Sequence, residues 1–122
     1  MAASSSASGQ LSPARERLVK RLVREHLASG IEVQALAAAC CLTRSHFSRA
    51  FKRSTGVSPQ VWIHRQRILR ARRLLRRTAL SLSQIALECG FCDQAHFCRS
   101  FVRAQGSTPL SWRAVSCKPF RH

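Results

Sequence analysis

The stretch HFSRAFKRSTGVSPQVW, at residues 46–62, returns as HFCRSFVRAQGSTPLSW at residues 96–112. Eight of the seventeen positions carry the same residue in the same order. An internal repeat of this kind indicates that one structural unit occurs twice in the chain. The rest of the sequence should therefore complete each unit and join the two.

The whole chain has helical spacing of apolar residues, with no Val/Ile/Thr alternation long enough for a sheet. Ser12 and Pro13 form a helix start, and Gly30 is expected to end that first helix. The capping box of Ser81 and Gln84 and the cap Asp93 start two later helices. After the first helix, the predicted helices cover residues 33–40, 44–54, 59–77, 82–89 and 94–105, and a final helix of two turns begins at residue 109. The fold class is therefore all-α, with about seven helices.

Each repeat combines a short helix, a turn and a second helix with two phenylalanines one helical turn apart. This order is typical of a helix-turn-helix unit, whose second helix enters the major groove. Phe47 and Phe51 are the predicted anchors in the first copy, and Phe97 and Phe101 in the second. The opposite faces are predicted to carry Ser45, Ser48, Arg49 and Lys52 in the first copy, and Ala95, Cys98, Arg99 and Val102 in the second, after Gln94 at the helix start.

These outward residue types suit contacts with base edges. Arginine forms hydrogen bonds to guanine, and Arg49 and Arg99 are the candidates for this contact. Gln94 could pair with adenine, and Ala95 could contact a thymine methyl. Arg103 is expected to contact phosphate, because phosphate contacts come from exposed basic side chains. Ordinary amphipathic helices in a bundle are the alternative, but they would not require an arginine at the same outward position in both copies.

The segment at residues 59–78 is expected to be a long linker helix. Its apolar residues fall on several sides: Val61, Ile68, Ala71 and Leu75 on one, Trp62 and Leu69 on another, and Ile63 and Leu74 on a third. Several apolar sides suit a helix held by different partners near its two ends, whereas a surface helix has one stripe. An amphipathic helix with a solvated arginine face remains the alternative.

The predicted organisation has five parts. They are a flexible Ser/Ala-rich tail at 1–12, a first helix-turn-helix subdomain at 13–58, the linker helix at 59–78, a second subdomain at 79–116, and a basic tail at 117–122. Two recognition helices on one linker could enter successive major grooves, about 34–36 Å apart, so that a monomer binds an asymmetric site.

The charge balance favours a polyanionic partner. The chain has 21 Lys+Arg against 5 Asp+Glu, a net charge of +16. A non-specific cationic binder of RNA, DNA or an anionic surface, or a protein-interaction module, would also fit this charge. The duplicated helices argue against non-specific binding, which needs charge alone, and the phenylalanines are expected to face the core instead of forming a stacking platform.

Cysteines and carboxylates provide little evidence for catalysis. Reduced thiols are expected for the cysteines at 40, 41, 89, 92, 98 and 117. Cys89, Cys92, His96 and Cys98 have the residue types of a zinc site, but binding one ion would disrupt the helix-turn-helix unit. A redox-sensitive Cys98 remains an alternative. Neither an enzyme nor a cofactor nor a metal is predicted, and no apolar run is long enough to span a membrane.

Residues 32–113 resemble the DNA-binding domain of the AraC/XylS family of bacterial transcription regulators. The second half carries the resemblance in SLSQIALECGFCDQAHFCRSFVRAQGSTPLSWR, residues 81–113. The first half matches through Leu36-Ala37, Phe47, Arg49, Phe51-Lys52, Gly56, Ser58-Pro59 and RQRILRARRLL. The resemblance implies two helix-turn-helix subdomains joined by a helix. The effector-binding domain that many family members carry is absent, so the chain is expected to be a stand-alone regulator or the C-terminal fragment of a larger one.

The resemblance also implies the DNA-facing positions and the partners. The base-facing positions correspond to Arg44, Ser45, Ser48 and Arg49, and to Gln94, Ala95, His96, Cys98 and Arg99. Double-stranded DNA is the expected partner and RNA polymerase a further candidate, with the protein in the cytoplasm at the nucleoid. Three positions depart from the family pattern: Cys41 replaces a turn glycine, Glu32 a Ser/Thr cap, and Cys92 a small hydroxyl residue.

Overall fold

A computed structural model describes residues 9–116, which form seven α-helices and no strand in that range. The helices are α1 Pro13–His26, α2 Val33–Ala39, α3 Arg44–Thr55, α4 Pro59–Arg77, α5 Leu82–Glu88, α6 Gln94–Gln105 and α7 Pro109–Ser116. The predicted all-α fold is confirmed. The predicted basic tail at 117–122 and most of the Ser/Ala-rich tail lie outside the described residues.

The helix starts follow from local capping. The Ser12 hydroxyl accepts a hydrogen bond from the N–H of Arg15, and Ser81 and Gln84 form both bonds of a capping box. The Asp93 carboxylate accepts from the N–H of His96 at 2.8 Å. These caps satisfy N–H groups that have no partner inside the helix, so the predicted starts are confirmed.

The first helix ends four residues before the predicted stop. It ends at His26, and the N–H groups of Ser29 and Gly30 then bond to the carbonyls of His26 and Leu27 at 3.1 and 3.3 Å. These bonds span three residues, tighter than the four-residue step of an α-helix. Gly30 therefore ends a turn that follows the helix, and its positive φ of 80° directs the chain away from the helix.

The chain divides into two compact units, with the boundary between Arg65 and Gln66. The core of the first unit consists of Leu11, Val19, Val23, Leu27, Val33, Leu36, Ala37, Cys40, Phe47, Ala50, Phe51 and Ile63. The core of the second consists of Ile68, Ala71, Leu75, Ile85, Ala86, Cys89, Phe91, Phe97 and Phe101. Each unit thus buries one face of its short helix and of its longer second helix in its own core.

The two cores repeat the same aromatic packing. In each unit the two phenylalanine centroids are 5.7 Å apart, and the second phenylalanine lies 5.9 Å from a tryptophan in an edge-on arrangement. The residues are Phe47, Phe51 and Trp62 in the first unit, and Phe97, Phe101 and Trp112 in the second. Edge-to-face pairs at this distance add to the free energy gained by burial.

Two residues in the last part of the predicted tail contact the first unit. Leu11 is 5% exposed and belongs to the first core, and its N–H donates to the Ser54 hydroxyl at 2.8 Å. The Gln10 amide also donates to the carbonyl of Arg53 at 3.3 Å. Leu11 is therefore part of the first unit, held against the C-terminal end of α3.

The sides of α4 differ in part from the predicted grouping. Ile68, Ala71 and Leu75 are buried together as expected, but Val61 is 44% exposed and Ile63 is buried instead. Helical spacing shows which residues share a side of a helix. It does not show which side is covered at each end, and here that is decided by the packing of neighbouring helices.

The closing Trp112-Arg113 pair of the family resemblance has a structural role in the second unit. The Arg113 guanidinium donates from Nε to the carbonyl of Leu75 at 3.0 Å and from Nη2 to the carbonyl of Thr78 at 3.1 Å. These carbonyls lie at the C-terminal end of α4, where a helix carries partial negative charge. Arg113 therefore caps α4 from another helix.

The same turn follows the short helix of both units. The N–H groups of Cys41 and Leu42 bond to the carbonyls of Ala38 and Ala37, both at 3.0 Å. In the second unit the corresponding bonds run from Gly90 to Leu87 and from Phe91 to Ala86. This pair of bonds is the Schellman motif, which places one residue in the left-handed region. That residue is Gly90 with a φ of 88°, or Cys41 with a φ of 59°.

Replacing Cys41 by glycine is expected to raise the free energy of unfolding by about 0.5–1 kcal/mol. The left-handed conformation costs a residue with a Cβ about 1–2 kcal/mol, and the extra chain entropy of glycine offsets about half of that gain. Cys41→Val should lower stability, because β-branched residues fit this region poorly. Urea denaturation followed by circular dichroism measures both changes, and equal stability of all three proteins would contradict the strain.

Candidate nucleic-acid interface

The outward face of α3 has the predicted composition. Phe47 and Phe51 are buried, while the opposite side exposes Ser45, Arg49 and Lys52. The exposed Arg44 begins the helix, and the half-buried Ser48 lies beside Arg49. Short side chains next to a long basic one would let a helix backbone approach the edges of base pairs closely.

The corresponding face of α6 is formed in the same way. Phe97 and Phe101 are buried, and the opposite side exposes Ala95, Arg99 and Arg103, with Cys98 half-buried. The exposed Gln94 begins the helix. Val102 is 40% exposed on this helix, which makes its outward face less polar than that of α3.

His96 lies at the edge of this face and contributes to the turn before α6. Its backbone N–H donates to Asp93, its Nδ1 accepts from the N–H of Cys92 at 3.4 Å, and its ring lies edge-on to Phe91 at 5.3 Å. Cys92 has no counterpart in the first unit, where Leu42 is followed directly by the cap Thr43. It therefore adds one backbone donor that needs a partner. The histidine ring provides that partner, whereas His46 at the same repeat position is exposed.

Gln94, the first residue of α6, is fixed by a contact that sequence reasoning missed. The hydroxyl of Ser83, near the start of α5, donates to the side-chain amide oxygen (Oε1) of Gln94 at 2.7 Å. The two residues lie eleven positions apart on different helices, and no sequence motif links them. Ser83 therefore joins the candidate interface only through the tertiary structure.

Among the described residues, no ion pair neutralises the exposed arginines of the two faces. Glu16 pairs with Lys20 on α1, and Glu88 lies 3.8 Å from Arg70. Within residues 9–116, neither Arg49 nor Arg99 has a carboxylate partner. Both guanidinium groups are thus available to a phosphate or a guanine edge, the anionic and acceptor groups that arginine binds best.

Arg67 has a different environment from the outward arginines. It is half-buried on α4, and its Nε has no hydrogen-bond partner in the part of the chain that the structure describes. Burial lowers the pKa of its guanidinium, and the nearby thiols of Cys92 and Cys89 partly oppose that shift.

The five described cysteines are free thiols with different environments. Burial raises the pKa of Cys40 and raises the pKa of Cys89 to about 12, while Cys41 and Cys92 are exposed. No group of three or more His, Cys, Asp or Glu side chains within residues 9–116 is placed to hold a metal ion. In the same range, no helix combines the length and the apolarity needed to cross a bilayer.

Alkylation should separate these thiols. At pH 8 we expect Cys89 to react with iodoacetamide more than about 100-fold slower than Cys92, because the thiolate is the nucleophile and a raised pKa reduces its fraction. The difference should shrink as the pH rises towards 12 and vanish in concentrated urea, which exposes both thiols. Mass spectrometry of the labelled peptides measures each site, and equal rates in the folded protein would contradict burial of Cys89.

Comparison with known proteins identifies the same arrangement elsewhere. A family model described as a helix-turn-helix domain matches residues 36–114. The HTH-type transcriptional activator RhaS of Escherichia coli O139:H28 (strain E24377A / ETEC) is 35% identical over 102 residues, which cover 84% of this chain and 37% of that protein. The chain spans about a third of the length of the curated relatives it matches.

Two solved structures share the fold. The DNA-binding domain of AdpA, a global transcriptional factor solved with a target DNA, has a TM-score of 0.77 and 35% identity, and the match covers 81% of this chain and 89% of that one. A regulator with an AraC-type DNA-binding domain from Chromobacterium violaceum has a TM-score of 0.80 and 28% identity, covering 88% and 96%. Together with the paired turns and recognition helices, these matches show that the chain belongs to the AraC-type helix-turn-helix family.

Proposed function

We propose that this chain is a sequence-specific double-stranded DNA-binding domain that acts in transcription regulation. One observation carries the proposal: both units expose an arginine opposite a buried phenylalanine pair, at Arg49 and at Arg99. The relatives support it, since RhaS is described as a transcriptional activator and the AdpA domain was solved with a target DNA.

The side chains of the two faces divide into two roles in this proposal. Arg49 and Arg99 bond to guanine, while Lys52 and Arg103 bind phosphate and so position the helices without selecting bases. The residues that line the base edges are Arg44, Ser45 and Ser48 on α3, and Gln94, Ala95 and Cys98 on α6. His96 acts at the edge of the second face through the turn that it supports.

The finer arrangement is also part of the proposal. Subdomains at 13–58 and 79–116, joined by the helix at 59–78, place α3 and α6 in successive major grooves of an asymmetric site. One chain then binds as a monomer, without the dimer symmetry that most helix-turn-helix proteins use. The protein acts in the cytoplasm at the nucleoid, and RNA polymerase is a further partner.

Selection from random duplex DNA at near-physiological salt tests the function. We expect one asymmetric motif with two conserved blocks whose centres lie about 10 base pairs apart, the spacing of successive major grooves. Affinity should fall steeply with added salt, because phosphate contacts release counterions. Recovery of no motif would contradict sequence-specific binding.

The second candidate function is non-specific binding of RNA or DNA, and the net charge of +16 favours it. A purely cationic binder would hold a random duplex, single-stranded DNA and an RNA hairpin with similar affinity at matched length and salt. We instead expect the selected duplex to bind at least about 1,000-fold more tightly than a scrambled duplex, the lower end of the usual specificity range.

A further inference from the structure

Ser83 and Gln94 form an exposed hydrogen bond between the two helices of the second unit. The Ser83 hydroxyl on α5 donates to Oε1 of Gln94 at 2.7 Å, and both side chains are exposed. Gln94 begins α6, and the N-terminal residues of a recognition helix are those that contact base edges. The bond therefore constrains a side chain at the position where bases are contacted.

The constraint changes what the Gln94 amide can offer. A glutamine side chain carries an oxygen that accepts hydrogen bonds and an NH2 group that donates two. Recognition of adenine uses both groups together, since the oxygen accepts from N6 while the nitrogen donates to N7. In this structure the Ser83 hydroxyl takes one of the two acceptor sites of the oxygen and turns the oxygen towards α5, which leaves the NH2 group on the side of the amide away from Ser83.

We propose that Ser83 orients Gln94 as a hydrogen-bond donor, so that Gln94 selects guanine over adenine at its base position. Guanine presents two acceptors in the major groove, N7 and O6, and needs no acceptor from the protein. Ser83 is a positioning residue in this scheme, because it acts on DNA sequence through Gln94. The inference rests on the proposed function, since it assumes that α6 enters a major groove.

The first unit supports the same chemistry with different residues. Arg44 begins α3 at the position that corresponds to Gln94, and Gln34 corresponds to Ser83. A guanidinium has donors only. Both recognition helices would therefore begin with a donor, supplied directly by arginine in α3 and by the serine-held amide in α6.

The experiment compares base preference in wild type, Ser83→Ala and Gln94→Ala. The base position of Gln94 is the one whose preference disappears in Gln94→Ala, and affinity is then measured for duplexes that carry guanine or adenine there. Wild type should prefer guanine about fivefold or more. Ser83→Ala should abolish or reverse that preference, because the freed amide can pair with adenine, whereas Ser83→Thr should retain it.

A double-mutant cycle separates positioning from a direct phosphate contact by Ser83. In the Gln94→Ala background, Ser83→Ala should leave the guanine-to-adenine ratio unchanged, because no amide remains to orient. Ser111→Ala, which removes an exposed hydroxyl from α7, should leave the ratio unchanged in every background.

Two outcomes would overturn the inference. One is an unchanged guanine-to-adenine ratio in Ser83→Ala, with or without an equal loss of affinity for both duplexes, and the other is a wild-type preference for adenine. Each of these leaves the proposed function intact as long as wild type still prefers particular bases at other positions. Loss of base preference at every position in wild type would instead contradict the proposed function itself.

Discussion

Replacing Phe101 by alanine is expected to lower the free energy of unfolding by about 3–5 kcal/mol, the usual cost of deleting a fully buried phenylalanine ring. Phe101 is 0% exposed and contacts the rings of Phe97 and Trp112 at centroid distances of 5.7 and 5.9 Å. The substitution removes the middle ring of this row, so both neighbours lose packing contacts. Small folding units are only marginally stable, so the second unit should lose most of its helical circular-dichroism signal.

Urea denaturation followed by circular dichroism and tryptophan fluorescence measures this loss, since Trp112 packs against the affected core. Val102→Ala is the matched control, because Val102 is the next residue on α6 and is 40% exposed. That control should change stability by less than about 0.5–1 kcal/mol. Similar losses for the two variants would show that Phe101 is not the centre of this core.

Replacing Arg49 and Arg99 together by alanine is expected to remove most of the base preference of the protein. Each well-placed bidentate contact discriminates by about 1–3 kcal/mol, so the double variant should lose about 2–6 kcal/mol on the selected duplex. Affinity for scrambled duplexes should change far less, because those complexes rely on phosphate contacts. Fluorescence anisotropy on selected and scrambled duplexes measures both quantities.

Arg103→Ala provides the contrast on the same helix. This variant should weaken binding to selected and scrambled duplexes by the same factor and reduce the slope of log affinity against log salt by about 1. The single variants at 49 and 99 should each reduce the base preference at one position of the DNA site. Uniform weakening of every sequence by the Arg49 and Arg99 variants would contradict their base-contacting role, provided that circular dichroism shows unchanged helix content.

Local signals predicted most of the secondary structure. A serine or aspartate cap, a proline at a helix start and a glycine at positive φ act within three or four residues, so the sequence alone predicts their effect. Ser12, Ser81 and Asp93 cap their helices as expected, and Gly56 and Gly106 end α3 and α6 with left-handed backbone. The repeat then placed Phe47 and Phe51 in the core from spacing alone.

Contacts between residues far apart in the chain were not predictable from the same signals. Leu11 is buried against α3, Arg113 caps α4, and Ser83 holds Gln94. None of these residues lies in a sequence pattern that predicts which residue it contacts. Helical periodicity likewise could not show that α4 buries Ile63 and leaves Val61 exposed, because that depends on which neighbouring helix covers each side.

The sequence by itself determined that two helix-turn-helix units exist, where their helices begin, and which faces of α3 and α6 carry the exposed arginines. These features depend on backbone geometry and on spacing along one helix. Only the tertiary structure decided how individual side chains on those faces are held, as with the amide of Gln94 and the ring of His96. The direction of a hydrogen bond between two helices depends on their packing, and packing sums weak contacts from many distant residues.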